Sequence, residues 1–367
     1  MALTGSLTND IALPSDNNDT IQSLSWSRVA NHLAVASWDG RVRIYDAASK
    51  RGVAALTAEA PVFSCDWCKD GSLIVAGGAD KKIHVMDVAT GQQKVIGSHK
   101  APVRGVRFAN VPGANGPVVV SGSWDKTVKI WDMRQEPRDA VATLSVDERV
   151  YSLDAKEGLL VVATADLLIH LIDLKNPTKI FKVVQSPLKH QTKAVAAFPD
   201  GKGWATASIE GRCGINSLDD EEAKAKDFTF CCHRDVSSEV TKIWAVNDVQ
   251  FHPVHTSTLV TAGSDGTFCF WNRGAHQLLC SFPNVSSPGT PEHTGKAPPA
   301  QPSAVTAISF NHDGTLLAYA VGYDWSRGCV GNTPRTETRV MLHAVSDATA
   351  RPRIVPSSLG GSSRRYR

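Results

Sequence analysis

One short pattern recurs along the chain and limits what it can fold into: an apolar stretch, a tight turn carrying an acid, then a stretch whose side chains alternate. It is clearest in SWDKTVKIWD at 123–132, where Val128 and Ile130 point one way and Thr127 and Lys129 the other, and again in SWDGRVRIYD at 37–46. Such alternation marks a strand with one buried face. Aligned on the acid, the copies fall at Asp39, Asp80, Asp125, Asp166, Glu210, Asp265 and Asp324, with gaps of 41, 45, 41, 44, 55 and 59 residues. The first six acids follow apolar runs (HLAVAS, SLIVAGG, PVVVSGS, LLVVATA, GWATAS, TLVTAGS) and precede alternating ones (RVRIYD, KKIHVMD, TVKIWD, LLIHLID, RCGI, TFCFWN). A period of about 40 residues with paired short strands marks a β-propeller of four-stranded blades. Each blade sheet is apolar on both faces, so it is stable only when a neighbour covers each face, and copies closed into a ring cover one another. The predicted fold class is all-β, a seven-bladed propeller.

The third unit carries the fullest pattern. His99, Ser121, Asp125 and Trp131 fall where WD-repeat proteins have a buried, hydrogen-bonded tetrad, and His233, Thr261, Asp265 and Trp271 repeat it in the sixth unit. The chain resembles the WD40 family on these residues, while Tyr45, Met86 and Ile172 replace the tryptophan elsewhere. A Ser/His/Asp set also suits nucleophilic catalysis. Its recurrence at blade spacing favours a structural lock instead. Ring closure is assigned to NDIAL at 9–13, joining AVTAISF, LLAYAVG and TRVMLHAV in the last blade. The expected organisation is a propeller over 1–345 with a Pro-rich loop at 283–303 between blades six and seven. Residues 346–367, ending SSLGGSSRRYR, are expected to be a disordered basic tail.

Composition narrows the function classes. The chain has 367 residues, 42% of them hydrophobic, with 39 Lys plus Arg against 36 Asp plus Glu, a balance too even to identify a nucleic-acid binder by bulk charge. Eight irregularly spaced cysteines and no apolar leader point to free thiols in a reducing compartment. No apolar run is long enough for a membrane span, so no membrane insertion is expected. Several stretches imitate chemistry. GTPEHTGKA has five residues between Gly289 and Gly295 where a phosphate-binding loop has four, and Ala297 where it needs Ser or Thr. Cys65 and Cys68 in CDWC are three apart on an expected strand and so point to opposite faces. His252 and His255 in FHPVH lack a third ligand nearby, and DDEEAK at 219–224 reads as a solvated loop. No cofactor, metal or active site is expected, and the chain reads as non-enzymatic.

Propellers without chemistry present binding faces. With strands a to d running outward from the channel, the d–a and b–c loops share one face and the a–b and c–d loops the other. Trp38 and Trp124 sit just before b–c acids, where an exposed tryptophan calls for a partner or a covering loop, and Arg212 and Arg234 belong to the same face. The segments SPLKHQTKAVAAF, ASIEGRCGI, FTFCCHR, AVNDVQFHPVH, GSDGTFCFW, FNHDG and YDWSRG closely resemble those of the messenger-RNA export WD40 factors of the nuclear pore, the RAE/Gle type. Bub-type spindle-checkpoint propellers share SIEGR and CHR, whereas Pro187, His190, Pro253 and Trp325 favour the export type.

That resemblance implies a non-enzymatic adaptor of the nucleus, nuclear pore and envelope, with a cytoplasmic pool. It would bind the GLEBS segment of a Phe-Gly nucleoporin, whose adjacent glutamates face Arg212 and Arg234, and would support messenger-RNA export and mitotic spindle functions. It also implies single-stranded RNA contact on the opposite face at Phe251, Trp271, Arg273 and His276. His276 and Leu278 stand where the family carries further cations, which implies weaker RNA binding. The alternatives are a kinetochore adaptor that binds mitotic checkpoint proteins and a substrate receptor of a ubiquitin ligase.

Overall fold

The computed structural model describes residues 3–14, 16, 19–109, 111, 116–134, 139–237, 239–283, 303–332 and 338–352. The repeats fold as seven antiparallel sheets in a ring. Blade three is representative, with strands Val103–Ala109, Val118–Ser123, Thr127–Asp132 and Ala142–Ser145 in spatial order a-b-c-d. The inner strands of the other blades are Ile21–Trp26, Val62–Trp67, Val150–Lys156, Thr192–Ala197, Val246–Phe251 and Ala304–Phe310.

Burial on both faces explains the ring. The apolar core divides into seven clusters, each drawing residues from two adjacent blades. Between blades one and two, for example, Trp67 is fully buried and its indole N–H donates to the Ser25 carbonyl across the junction at 2.9 Å. A large apolar side chain buried this way contributes roughly 1.5–3 kcal/mol, and neither blade could gain it alone.

Each inner strand also carries a bulge, at its second residue in blades one to six and at its third in blade seven. The register slips past Gln22, Phe63, Arg104, Tyr151, Lys193, Asn247 and Thr306, leaving them unpaired with strand b. A bulge re-aims the side chain it carries, and these side chains ring the channel end nearest the d–a loops.

The N-terminal segment closes the last blade as the sequence suggested. Ile11–Ala12 pairs antiparallel with Arg339–Ala344, and Leu13 enters the cluster between blades seven and one. Asp10 ties the joint: the Tyr319 hydroxyl donates to it at 2.7 Å, and His343 Nδ1 lies 2.7 Å away. Beyond that expectation, Leu3–Thr4 pairs parallel with Gln277–Phe282 as a fifth strand on blade six. Gly5 then crosses directly over the Phe282 ring, where a β-carbon would collide with it.

Two loop readings need correction. Residues 220–226 form a short helix rather than a solvated loop, because the Asp219 side chain accepts from the backbone N–H of Glu221 and Glu222. Acids in the first turn and lysines in the last also suit the helix dipole. Residues 347–350 form a helical turn that docks on blade six, with Ala350 buried and its carbonyl accepting from the Thr258 hydroxyl at 2.7 Å. The start of the expected tail is thus ordered. The P-loop-like stretch, nearly all of the Pro-rich loop and the basic tail from residue 353 lie outside the described residues.

Candidate functional site

The tetrads of blades three and six assemble as polar chains under the b–c turns. Trp131 Nε1 donates to Ser121 Oγ at 2.8 Å, Ser121 Oγ lies 2.8 Å from His99 Nε2, and His99 Nδ1 lies 3.0 Å from Asp125. In blade six Trp271, Thr261, His233 and Asp265 repeat it at 3.0, 2.9 and 2.9 Å. Thr127 and Thr267 add a hydroxyl donor to each acid, which the sequence reading did not include. Burial lowers the His99 pKa, and the Asp125 carboxyl is held below its usual range despite burial by bonds from Thr127, Lys100 N–H and His99. A serine whose oxygen is committed between an indole and an imidazole inside the blade cannot reach a substrate.

Where the loop histidine is missing, strand c replaces it. Arg43 bridges Asp39 and Asp16 in blade one at 2.8 and 2.6 Å, and His84 meets Asp80 in blade two at 2.6 Å. Blade five has no such lock: the mostly buried Glu210 carboxylate accepts from the Lys189 backbone N–H at 3.1 Å instead.

That unlocked turn carries the candidate docking site. The Arg234 guanidinium lies across it, donating from Nη2 to the Glu210 carbonyl at 2.8 Å and from Nε to the Gly211 carbonyl at 3.3 Å. Neutral carbonyls fix its direction without neutralising its charge. Arg212 opens strand c of the same blade, one-third exposed, with Nε 3.9 Å from Glu210 Oε2, a loose contact. The two arginines therefore share one rim, as the loop order implied.

The tryptophans of that face are partly covered by neighbouring loops. Trp38 is half-buried rather than exposed, stacked on Trp325 at 4.7 Å and tilted against Phe63 at 5.6 Å, with its N–H donating to Gln22 at 3.2 Å. Phe63 in turn meets Trp124 at 5.9 Å, and Trp124 is 37% exposed. Blades seven, one, two and three thus contribute to one aromatic row. Phe63 was missed as a member because it lies inside an inner strand, where the hydrophobic pattern does not mark the bulge that re-aims it.

On the opposite face the proposed RNA set separates. Trp271 is buried as a lock member, so it offers no face for a base; this corrects the sequence expectation. Arg273 lies over the Phe198 ring at 3.9 Å and Phe251 at 5.7 Å, with Asp200 3.9 Å away. Burial lowers its pKa. His276 stacks on Phe228 at 3.7 Å. Phe251 and Arg273 are brought together, and His276 stands apart on its own ring.

The other chemical imitations resolve as structure. The Cys65 thiol is pushed up to about 12 by burial, and Cys68 lies beyond the strand, hydrogen-bonded to Asp70. His252 is lowered to about 4 by burial and pairs with the Gly314 carbonyl, while His255 approaches Asp347 at 3.3 Å. Among the described residues no cluster of three or more His, Cys, Asp or Glu could hold a metal, and no helix is long and apolar enough to cross a membrane.

Known proteins share this frame. The WD domain, G-beta repeat, family matches residues 91–132 and 228–272, which include the two complete locks, and the anaphase-promoting complex subunit 4 WD40 domain matches 10–70. The chain is 46% identical over 355 residues to the WD40 repeat protein poxJ of Penicillium oxalicum, covering 95% of this chain and 97% of that one. It is 43% identical over 357 residues to the mRNA export factor GLE2 of Chaetomium thermophilum, covering 95% and 94%. Mitotic checkpoint protein BUB3.1 of Arabidopsis thaliana is less similar, at 32% over 340 residues, covering 92% and 93%. With seven blades, two complete locks and near full-length similarity, the chain belongs to the WD40-repeat family of the Gle2/Rae1 messenger-RNA export factors.

Proposed function

We propose that this protein is a non-enzymatic adaptor that docks an acidic GLEBS-type nucleoporin peptide on its d–a/b–c face and thereby joins messenger-RNA export to the nuclear pore. The observation that carries the reading is the rim of blade five. Arg234 is held by two backbone carbonyls beside a one-third-exposed Arg212, so two guanidinium groups keep donors for incoming carboxylates. Charge-assisted, bidentate pairing is the chemistry in which arginine surpasses lysine. The aromatic row from Trp124 to Trp325 supplies apolar cover for the same peptide across the channel mouth. On this reading the protein resides at the nuclear pore and envelope with a cytoplasmic pool, and any spindle role uses the same docking face.

Contact with single-stranded RNA is assigned to Phe251 and Arg273 on the other face, and it is weak, because Arg273 is already engaged with two rings and lies near Asp200. The test is a cellular replacement. Cells carrying Arg212→Glu plus Arg234→Glu should lose the rim localisation of the protein and accumulate polyadenylated RNA in the nucleus. Normal localisation and export in that variant would refute the assignment.

A further inference from the structure

The inner strands place charged side chains at two adjoining levels of the channel. At the deeper level Asp66, Asp154 and Asp248 surround Arg107, which donates to Asp154 at 3.1 Å and to Ser64 at 3.2 Å. Those acids also accept backbone N–H groups from the next blade: Phe108 on Asp66 at 2.8 Å, Ala197 on Asp154 at 2.9 Å and Ile308 on Asp248 at 3.0 Å. Arg107, Asp66 and Asp154 are paired there, while burial raises Asp248 to about 6.

The level above differs. A small cavity of about 30 Å³ opens at the docking-face mouth, lined by the bulge residues Gln22, Arg104, Lys193, Asn247 and Thr306 together with Asp324 and Trp325. Neither Arg104 nor Lys193 makes a hydrogen bond or ion pair with any described residue. The carboxylate at this level, Asp324, accepts from the Ser326 N–H and hydroxyl at 3.1 and 2.7 Å and from Ser264, and it offsets part of the Lys193 charge without contacting it. Gln22 receives the Trp38 N–H on its oxygen, which leaves its amide N–H groups free to donate. Thr20 and Trp325 close the rim, with the Trp325 N–H donating to the Thr20 hydroxyl at 2.9 Å.

We propose that this mouth is a binding site for a small phosphate-class oxyanion, held by Arg104, Lys193 and the Gln22 amide. Two like charges sharing a small, poorly solvated cavity repel each other, and an anion between them removes that cost while gaining charge-assisted hydrogen bonds. Burial and neighbouring cations already bear on both groups: the Lys193 pKa is lowered by desolvation and by Arg104 against the pull of Asp324, and Arg104 is lowered to about 10 by desolvation and by Arg107 against the pull of Asp248. The inference does not depend on which peptide, if any, docks on the rim.

The test titrates inorganic phosphate into the full chain at constant ionic strength set with sodium chloride, reading melting temperature and the fluorescence of Trp325 at the cavity wall. The expected result is a saturable rise in melting temperature and a fluorescence change with the same midpoint. Arg104→Gln and Lys193→Gln should each weaken the apparent affinity about tenfold, and the double variant should abolish the response. Each variant should melt no lower than wild type in chloride alone, since it relieves repulsion. Arg212→Glu, on the rim outside the cavity, should respond to phosphate as wild type does. A response no greater than that to chloride, or one that persists in the double variant, would overturn the proposal.

Discussion

The two faces of the propeller treat their arginines in opposite ways. On the d–a/b–c face, Arg234 is oriented by the carbonyls of residues 210 and 211, which fix its position and leave its charge available. On the a–b/c–d face, Arg273 is pressed onto Phe198, approached by Phe251 and Asp200, and largely removed from water. On the proposed function, the first arrangement prepares a cation for an acidic partner; the second uses the cation to cover apolar surface. Residue type alone does not distinguish a binding arginine from a packing one. What distinguishes them is whether the neighbours neutralise or desolvate the charge.

The largest expected effect concerns the frame beneath both faces. Removing residues 1–13 strips the outer strand of blade seven and leaves Tyr319 and His343 without Asp10, which should lower stability by roughly 3–5 kcal/mol. Peptide affinity per folded molecule should be unchanged, because the docking arginines lie in blade five and the turn after it. Chemical denaturation and titration of the truncated protein check both halves, and an unchanged melting temperature would show that the ring closes by other means.

Next come the two complete locks, which are nearly identical chemically yet differ in position. Asp125→Ala and Asp265→Ala should each lower stability by about 1–3 kcal/mol by leaving a buried histidine unpaired. The losses should diverge at the docking face. His233 directly precedes Arg234, so the Asp265 variant should also weaken acidic-peptide binding, while the Asp125 variant binds normally. Equal effects on binding would mean that the lock does not position the arginine.

A smaller effect is expected on the other face. Phe251→Ala should weaken single-stranded RNA binding by about 1 kcal/mol, with only a modest salt dependence because one partly buried cation is present. Peptide docking should be unaffected. Tight RNA binding that ignores Phe251 would move the RNA surface elsewhere, most directly to Arg364, Arg365 and Arg367 in the tail.

The smallest effect is acid sensitivity. Burial holds His99 below its ordinary value of 6.5 and lowers His252 to about 4, so the unfolded chain takes up these protons first. The stability is fully present above about pH 7 and declines as pH falls below 6.5. Asp125 and Asp265 are held below 3.8, so their contribution persists above that value and is lost only in stronger acid. Denaturation midpoints between pH 7.5 and 5 should fall in wild type and fall less steeply in His252→Asn. Asp248, raised to about 6 by burial, acts with the opposite sign in the same window, so the histidine contribution is the difference between the two profiles, and identical slopes in wild type and His252→Asn would contradict the buried, neutral state of His252.

Much of this was legible in the chain because the forces are local and repeated. Alternation and the recurring acid gave the blades, and His99 with Asp125 gave the lock, since each unit restates the same burial requirement. The shared rim of Arg212 and Arg234 followed from loop order, while the docking role proposed for them comes from resemblance. What stayed hidden depends on contacts between distant segments. The stack of Trp38 on Trp325 joins blades one and seven, and the tie from Asp10 to His343 joins the two ends of the folded ring. Trp271 was misjudged because one tryptophan can serve a lock or a surface, and the sequence marks both in the same way. The bulges at Arg104 and Lys193 leave no mark in the hydrophobic pattern, since a single skipped residue preserves the strand's composition.

The central claim is that two guanidinium groups on one rim recognise adjacent glutamates. The most direct measurement is a calorimetric titration of a GLEBS-type peptide into wild type, Arg212→Glu and Arg234→Glu, repeated with a peptide whose glutamate pair is replaced by lysines. The account predicts that each reversal weakens the native peptide at least about a hundredfold, roughly 3 kcal/mol, without lowering the melting temperature. It also predicts that the lysine peptide binds the doubly reversed protein better than it binds wild type. Native affinity in either reversed variant would remove that arginine from the site, and native affinity in both would contradict the account.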